Sequence, residues 1–415
     1  MMKKENKLHY GWRIIFACFM LMSFYFCVVM NCPGLFLTSV TQEFGISRSQ
    51  YTLNTTVISI AMMIVSLNAG KIFSKFKIKS VMRLAGLVLP IAYAGYSIAP
   101  NIRIFYGISL VVGFSLGLCG MVPMSTLITR WFNDKKGLAT GLAFTGSGLG
   151  GVVLQPVIGQ LIEAVGWRKT YFAIAVIMFV FVYPCIMFLI KDYPSDKGLE
   201  PVGGLAKTEN NIAPDDGIML SQARKKAYFW MYLPLVAISC AAACSMIQQI
   251  VPYATDIGYD PTVAANIGAL NLGTLAVAKI ILGKIYDTKG NLAGTVTSLL
   301  ALAVALVLYY NANSPAILYR GIIFAALGIA YTSVGFPINT QTMFGKKDYS
   351  AIYGVVFCFS SVGTAIGSPI TSMIFDATGS YRTAWLIWGA LIVLTTVIYI
   401  IIDRISAADR KKSSI

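Results

Sequence analysis

Charged residues and histidine are scarce in this chain. Only 12% of its 415 residues are charged and it has a single histidine, His9, whereas about a quarter of the residues of an ordinary soluble domain are charged. It has no HExxH motif, no acidic pair in the middle of an apolar run, and no CxxC among its eight cysteines. Because enzymes, metal sites and disulfide frameworks need such sets, these absences argue against all three. We expect no cofactor.

Long apolar runs take the place of the missing charge. Hydrophobic residues make up 57% of the chain and its mean hydropathy is +0.71, and a helix of about 20 apolar residues is enough to cross a bilayer. The first run is too long for a secretory signal and has no small-residue cleavage site, so we expect it to remain as a helix. The sequence predicts an all-α membrane protein with twelve transmembrane helices at 13–38, 50–73, 80–98, 101–129, 138–164, 169–191, 227–254, 262–286, 291–312, 315–344, 349–376 and 381–403.

The net charge of +16 has an uneven distribution that predicts topology rather than a nucleic-acid partner. Most lysines and arginines fall at the N-terminus, at the C-terminus and in every second connection between the predicted helices. Cytoplasmic segments of membrane proteins carry an excess of these residues. We therefore expect a multi-pass protein of the cell membrane, embedded in the lipid bilayer, with both termini in the cytoplasm.

An internal repeat divides the chain into two parts. One constant separation along the sequence relates seven residue pairs: Gly70 to Gly283, Gly141 to Gly354, Gly150 to Gly363, Pro156 to Pro369, Glu163 to Asp376, Gly166 to Gly379 and Thr170 to Thr383. A separation that holds across several helices indicates duplication. The sequence predicts two pseudo-symmetric six-helix bundles, 1–191 and 227–415, joined by a polar cytoplasmic linker at 192–226.

Two six-helix halves in parallel orientation resemble the architecture of major facilitator superfamily transporters. The segment GKIYDTKG (283–290) is similar to the loop signature of that family through Gly283, Asp287 and Gly290. The copy in the first half, GKIFSKFK (70–77), keeps Gly70 but has Ser74 at the aspartate position.

Four further segments resemble the branch of monocarboxylate transporters and oxalate:formate antiporters. They are Tyr10-Gly11-Trp12, WFNDKKGLATGLAFTGSGLG (131–150), Gly166-Trp167-Arg168 and LSQARKKAYFW (220–230). The resemblance implies a major facilitator fold and secondary active transport of a small organic anion.

Lys279 is the charged residue that lies deepest in a predicted membrane helix. Such a residue costs about 2.5–3.5 kcal/mol on insertion scales, and it usually faces a cavity where it has a function. In the branch that this chain resembles, the position holds an arginine that binds the substrate carboxylate. The resemblance therefore implies that Lys279 binds the anion, and a single buried positive charge favours a monocarboxylate over a dianion.

The coupling ion stays open at this point. Proton-coupled relatives have an aspartate where this chain has Leu275 and a lysine where it has Gly34. Oxalate antiporters have a second basic residue in the eleventh helix, and 349–376 contains none. Neither coupling arrangement is complete, so protons and exchanged anions both remain candidates.

Other polar and aromatic residues could complete a substrate site on the helices that line the cavity in this family. Packing or hydrogen bonding between helices explains each of them equally well. The candidates are Asn271, Gln249, Asn31, Tyr25, Tyr331 and Phe336.

Two gating contacts and two packing motifs are also predicted. The resemblance places Asp287 against the start of the fifth helix near Lys136 and Gly137, and we expect Ser74 to accept a hydrogen bond from the start of the eleventh helix as a weaker latch. The gating set is Gly283, Asp287, Gly290, Gly70 and Ser74. The GxxxG spacing of Gly146 with Gly150 and of Gly363 with Gly367 predicts close packing of the fifth and eleventh helices against the other half.

The sequence therefore predicts a monomeric secondary transporter that moves a small organic anion by alternating access. The alternatives are a carboxylate antiporter for anions such as oxalate and formate, an exporter of another amphipathic solute, and, from a different class, a nutrient sensor built on a transporter fold.

Overall fold

The computed structural model describes residues 9–204, 217–258, 261–312 and 314–413, and nearly all of them are helical. The N-terminal half contains six membrane helices. They are α1 (Gly11–Asn31, continued after Cys32 as Pro33–Phe44), α2 (Arg48–Leu67 and Ala69–Lys75), α3 (Ile78–Gly95), α4 (Ile102–Cys119 and Met121–Trp131), and α5 and α6, which share the stretch Lys136–Ile177 and run on to Leu189.

The C-terminal half repeats this order. Its helices are α7 (Ala227–Asp256), α8 and α9 (together Pro261–Tyr310), α10 (Pro315–Phe344), α11 (Tyr349–Thr378) and α12 (Tyr381–Ser413).

Two glycines divide the longest helical stretches. Gly166 separates α5 from α6 with φ 79° and ψ 161°, and Gly290 separates α8 from α9 with φ 84° and ψ 176°. A positive φ at these junctions favours glycine, which has no Cβ to clash. Ten stretches among the described residues are long and apolar enough to cross a membrane, and two of them contain two crossings each. The predicted twelve-helix architecture is confirmed.

The halves meet closely along two helix pairs, α5 with α8 and α2 with α11. A Cβ added to Gly283 would lie 2.2 Å from Gly137 O, and one added to Gly70 would lie 2.3 Å from the Cβ of Ala351. Only glycine permits this approach at either seam. Both contacts lie at the end of the bundle that carries the connection between α6 and α7, which we call the linker end and which the sequence predicts to be cytoplasmic.

The linker binds to both halves at this end. Val202 N donates to Trp131 O at 2.9 Å, and its carbonyl accepts from Asn133 N at 2.9 Å, beside the start of α5. Further along, Ile218 N donates to Phe344 O at 3.0 Å, and Leu220 N donates to Asp348 Oδ2 at 2.9 Å, beside the start of α11. Residues 205–216 lie outside the described residues, and the boundaries 191 and 226 stay predictions.

The glycines of the two GxxxG motifs pack within their own half, so the expectation that they contact the other half is wrong. Cβ atoms added to Gly146 and Gly150 would lie 2.4 Å from Phe19 O and 2.6 Å from Ser23 O, both on α1. In the second half, Gly363 and Gly367 face the carbonyls of Ala237 and Ala241 on α7 in the same way. The glycines of α5 that approach the other half are Gly137, Gly141 and Gly148.

The end of the N-terminal half away from the linker is held by polar contacts. Glu43 accepts from Arg168 Nε at 2.8 Å and from Trp167 Nε1 at 2.5 Å. Arg168 Nη1 also donates to the carbonyls of Ser97 and Ala99, each at 2.9 Å. This cluster joins the end of α1, the connection between α3 and α4, and the start of α6.

Candidate functional site

Lys279 lies buried in α8 against the other half of the protein. Its side chain is 5% exposed, and its Nζ donates to Phe144 O at 3.0 Å and to Ser147 Oγ at 2.8 Å, both on α5. Among the described residues, no carboxylate lies within ion-pairing distance of it. The ammonium is therefore a buried cation with only uncharged partners, roughly 12 Å along the helix from Asp287 at about 1.5 Å per residue.

Asn31 of α1 reaches the same part of α5. Its side-chain Nδ2 donates to Ser147 O at 3.3 Å, and its main-chain carbonyl accepts from Gln155 Nε2 at 3.1 Å. Asn31 itself is exposed. The structure thus brings two of the predicted binding residues, Lys279 and Asn31, together through Ser147.

Asn271 lies two turns before Lys279 on α8 and is 2% exposed. Its Oδ1 is buried and has no hydrogen-bond partner among the described residues. A buried acceptor without a donor costs free energy, so Asn271 is a polar group still able to accept a hydrogen bond. It stays a candidate for substrate contact.

Gln249 and Tyr25 have their polar groups engaged elsewhere. Gln249 Nε2 donates to Ser368 Oγ at 2.8 Å and to Ser372 Oγ at 3.0 Å, and its Oε1 accepts from Tyr381. Tyr25 donates its hydroxyl to Gly86 O on α3 at 2.7 Å. The structure does not bring either residue to Lys279, since each binds helices of its own half.

Tyr331 and Phe336 also lie away from Lys279, in the core of the C-terminal half. Their rings pack edge to face with centroids 4.8 Å apart, and the Tyr331 hydroxyl accepts from Asn339 Nδ2 at 3.0 Å. Asn339 Oδ1 accepts in turn from Thr295, whose hydroxyl is 2.8 Å from that of Tyr286. This network joins α8, α9 and α10 and accounts for the polar groups of Tyr331 and Asn339 without a substrate.

Asp287 caps the start of α5, as the sequence predicts. Its Oδ1 accepts from Gly137 N and its Oδ2 from Leu138 N, both at 2.7 Å. The first amides of a helix have no partner within the helix and lie at its positive end, so a carboxylate is favoured there. The contact joins the two halves at the linker end. Its gating role stays a prediction.

Ser74 makes no equivalent contact, and the expectation that it caps α11 is wrong. Its hydroxyl donates to Lys71 O of its own helix at 3.1 Å, and the side chain is exposed. The hydroxyl is too short to reach across, and the α2–α11 seam is held by Gly70 against Ala351 instead.

The two seams between the halves are related by the repeat. A Cβ on Gly141 would lie 2.4 Å from Lys279 O, and a Cβ on the equivalent Gly354 would lie 2.0 Å from Ser66 O. Ser66 is the repeat equivalent of Lys279, and its hydroxyl donates to Met62 O within α2. The backbone contact is duplicated, while the cation is present in one seam alone.

Sequence reasoning missed Ser147 and Gln155. Ser147 falls inside a glycine-rich run whose spacing predicts helix packing, although it is the one hydroxyl in GSGLG (146–150). Matching Gly141 to Lys279 across the seam would have pointed to it, because Ser147 lies nearly two turns further along α5. Among the described residues, no group of three or more His, Cys, Asp or Glu side chains is arranged to hold a metal ion.

Comparison with known proteins identifies relatives along the whole chain. A family model described as the Major Facilitator Superfamily matches residues 17–343 and 235–414. The uncharacterized MFS-type transporter YhjX of Escherichia coli (strain K12) is 26% identical over 344 residues, covering 81% of this chain and 80% of that protein. Monocarboxylate transporter 4 of Mus musculus is 24% identical over 429 residues, covering 98% of this chain and 86% of that protein.

A solved structure shows the same fold. The crystal structure of the major facilitator transporter FucP in the outward conformation matches with a TM-score of 0.70 at 16% identity, covering 94% of this chain and 97% of that chain.

Proposed function

Because this chain belongs to the major facilitator superfamily, a family of membrane transporters, we propose that it carries a small organic anion, best a monocarboxylate, across the membrane by alternating access. The observation that carries this proposal is Lys279, a buried cation between the halves with only uncharged partners among the described residues. The monocarboxylate transporters among its relatives support the choice of substrate class.

The chemistry of Lys279 fits one carboxylate. A carboxylate accepts a charge-assisted hydrogen bond from an ammonium, which is stronger than a bond to a neutral oxygen. A second anionic group would need a second cation, and the described membrane helices place none beside Lys279. Asn31 is exposed and reaches the same serine as Lys279, so it contributes an amide on the approach from the end opposite the linker.

The two seams support alternating access as the mechanism. With α5 against α8 and α2 against α11, the linker end is closed. Parting of these seams would open the site to that end. An inside-negative potential opposes anion entry by about 2.3 kcal/mol per charge per 100 mV, so uptake needs a co-transported cation or an exchanged anion.

The test is Lys279→Ala in proteoliposomes. We expect uptake of labelled lactate, pyruvate, formate or oxalate, whichever the unaltered protein moves, to fall to the level of empty liposomes, because the anion loses its counter-charge. Screening these four anions with and without a pH gradient also identifies the coupling.

The matched control is Lys284→Ala, which removes an exposed lysine from the same helix. It is expected to leave uptake unchanged, with both variants eluting as folded protein in size-exclusion chromatography. Uptake by Lys279→Ala equal to that of the control would refute the assignment of the anion site.

A further inference from the structure

The Lys279 ammonium joins the two halves of the protein. The lysine belongs to α8 in the C-terminal half, and both of its hydrogen-bond acceptors, Phe144 O and Ser147 Oγ, belong to α5 in the N-terminal half. Ser147 is 7% exposed, and its hydroxyl also donates to Phe144 O at 3.0 Å. That bond orients the serine so that its oxygen lone pairs are available to the ammonium.

This tether lies at the deep end of a continuous seam. Towards the linker end, Gly141 faces Lys279 O, Gly137 faces Gly283 O, and Asp287 caps the start of α5. Close beside it, Thr145 Oγ1 lies 3.1 Å from Ala276 O. Opening the linker end requires α5 and α8 to separate along this seam, so Lys279 has to change partners in every transport cycle.

When α5 and α8 separate, Lys279 loses Ser147 as a hydrogen-bond partner. In protein with a bound anion the carboxylate takes its place, and in empty protein nothing does. A bound carboxylate is a stronger acceptor than a hydroxyl or a carbonyl and neutralises the ammonium. Without an anion, separation of the helices leaves a cation in a low-dielectric site with no partner, which is unfavourable. Helices α5 and α8 therefore separate more readily in protein with a bound anion than in empty protein.

Building on the proposed function, we propose that Ser147 is a positioning residue that tethers Lys279 across the halves, so that empty protein rests with its linker end closed. A bound carboxylate releases this tether, and exchange of one anion for another therefore runs faster than net movement, which needs the empty protein to reorient.

The α2–α11 seam has no contact that is equivalent to the bond between Lys279 and Ser147. In α2, the hydroxyl of Ser66 is bonded within its own helix, to Met62 O at 2.8 Å. The α2–α11 seam therefore closes through backbone and methyl contacts that do not respond to an anion. Sensitivity to the substrate is confined to the α5–α8 seam.

The first experiment measures the resting state without any substrate. Spin labels are placed at Lys75 and Lys347, two exposed positions at the linker end of opposite halves. For Ser147→Ala and for Lys279→Met we expect the population with longer label separations to rise by about tenfold, the lower end of what a hydrogen bond to a charged group is worth. The two substitutions lie on different helices and remove the same bond, so the same shift in both variants is not explained by a folding defect in one of them.

The control for this experiment is Thr140→Val. Thr140 is a buried hydroxyl on α5 that donates only to Lys136 O of its own helix, so its loss should leave the distance distribution unchanged. If Ser147→Ala gives the same distribution as the unaltered protein, or if Thr140→Val shifts it equally, the tether is refuted.

The second experiment compares transport modes with labelled pyruvate in proteoliposomes. The unaltered protein should exchange external label against internal unlabelled pyruvate faster than it loads empty vesicles, and Ser147→Ala should lower this ratio of exchange to net uptake about tenfold. A ratio that Ser147→Ala leaves unchanged would refute the tether while the anion-transport proposal stands. Shifted label distances together with no uptake of any tested monocarboxylate would refute the transport proposal and support the tether.

Discussion

The carboxylate of Glu43 shows how a single ionic contact can bind three segments. Hydrogen bonds from Arg168, and then from Trp167, hold the pKa of Glu43 below its usual value. A carboxylate with a lowered pKa in the folded state contributes stability above the pKa that it has when unfolded, about 4.3. That contribution is lost as the pH falls through the lower, folded value.

We expect Glu43→Gln to lower the thermal midpoint of unfolding at pH 7 by about 2 °C, since exposed ion pairs contribute about 1 kcal/mol or less. The difference from the unaltered protein should shrink as the pH is lowered through the folded pKa of Glu43, because the carboxylate is then protonated in both states. Differential scanning fluorimetry between pH 7 and pH 3 measures it. The control is Glu163→Gln, at an exposed carboxylate near the end of α5, whose difference in thermal midpoint from the unaltered protein should not shrink with falling pH. A difference for Glu43→Gln that stays constant with pH would contradict the stabilising role of the Glu43 carboxylate.

Residue by residue, the sequence revealed Lys279 and Asn31 and missed Ser147 and Gln155. Lys279 stands out because a cation within an apolar run is costly and therefore rare. Ser147 does not, because small hydroxyl residues are common in membrane helices and usually bond within their own helix, as Ser66 does. Tyr25 and Gln249 are polar residues in apolar helices and were therefore predicted to contact the substrate. Their polar groups instead bind neighbouring helices of their own half.

At the scale of one element, α5 packs against helices of both halves. Gly146 and Gly150 face α1, while Gly137, Gly141 and Gly148 face α8. The GxxxG pattern shows that a backbone approaches closely but does not name the partner, because the spacing is the same for any neighbouring helix. This is why the motif was predictable from sequence and its contact was not.

Substitution of Gly141 tests the closeness of the α5–α8 seam. In Gly141→Leu the new Cβ would lie 2.4 Å from Lys279 O, so the helices must separate, at a cost of about 1–3 kcal/mol. We expect a lower thermal midpoint and more open conformations at the linker end, measured with the label pair at 75 and 347. Gly159→Leu is the matched control on the same helix, because a Cβ there meets nothing within 4 Å. Equal behaviour of the two variants would show that the seam tolerates separation.

At the scale of the whole molecule, the repeat predicted the fold well because duplicated glycines and prolines mark equivalent helices. It also suggested two latches of the same kind, which the structure does not show. Asp287 reaches the amides of Gly137 and Leu138, whereas Ser74 bonds to its own helix. Equivalent positions in the chain can therefore share a backbone contact and differ in every polar one.

We predict that the contact of Asp287 with the start of α5 shifts the balance between the conformations of the whole protein. Asp287→Asn removes the charge and one of two accepting oxygens, so we expect the linker-end-open population to rise about tenfold, in line with a charge-assisted bond. Ser74→Ala should leave it unchanged. Substrate-free distance measurements between the two halves provide the readout, and an equal shift in both variants would contradict the difference between the seams.

The contact between Asn133 and Lys346 bears on how such a chain could arise. Lys346 Nζ donates to Asn133 Oδ1 at 2.5 Å, and the two residues are repeat equivalents, so they meet on the pseudo-two-fold axis. In a symmetric dimer of half-length chains, a residue on the axis meets its own copy, and two lysines would repel one another there. The pairing of a lysine with an asparagine at that point needs two halves of different sequence, which a single fused chain supplies.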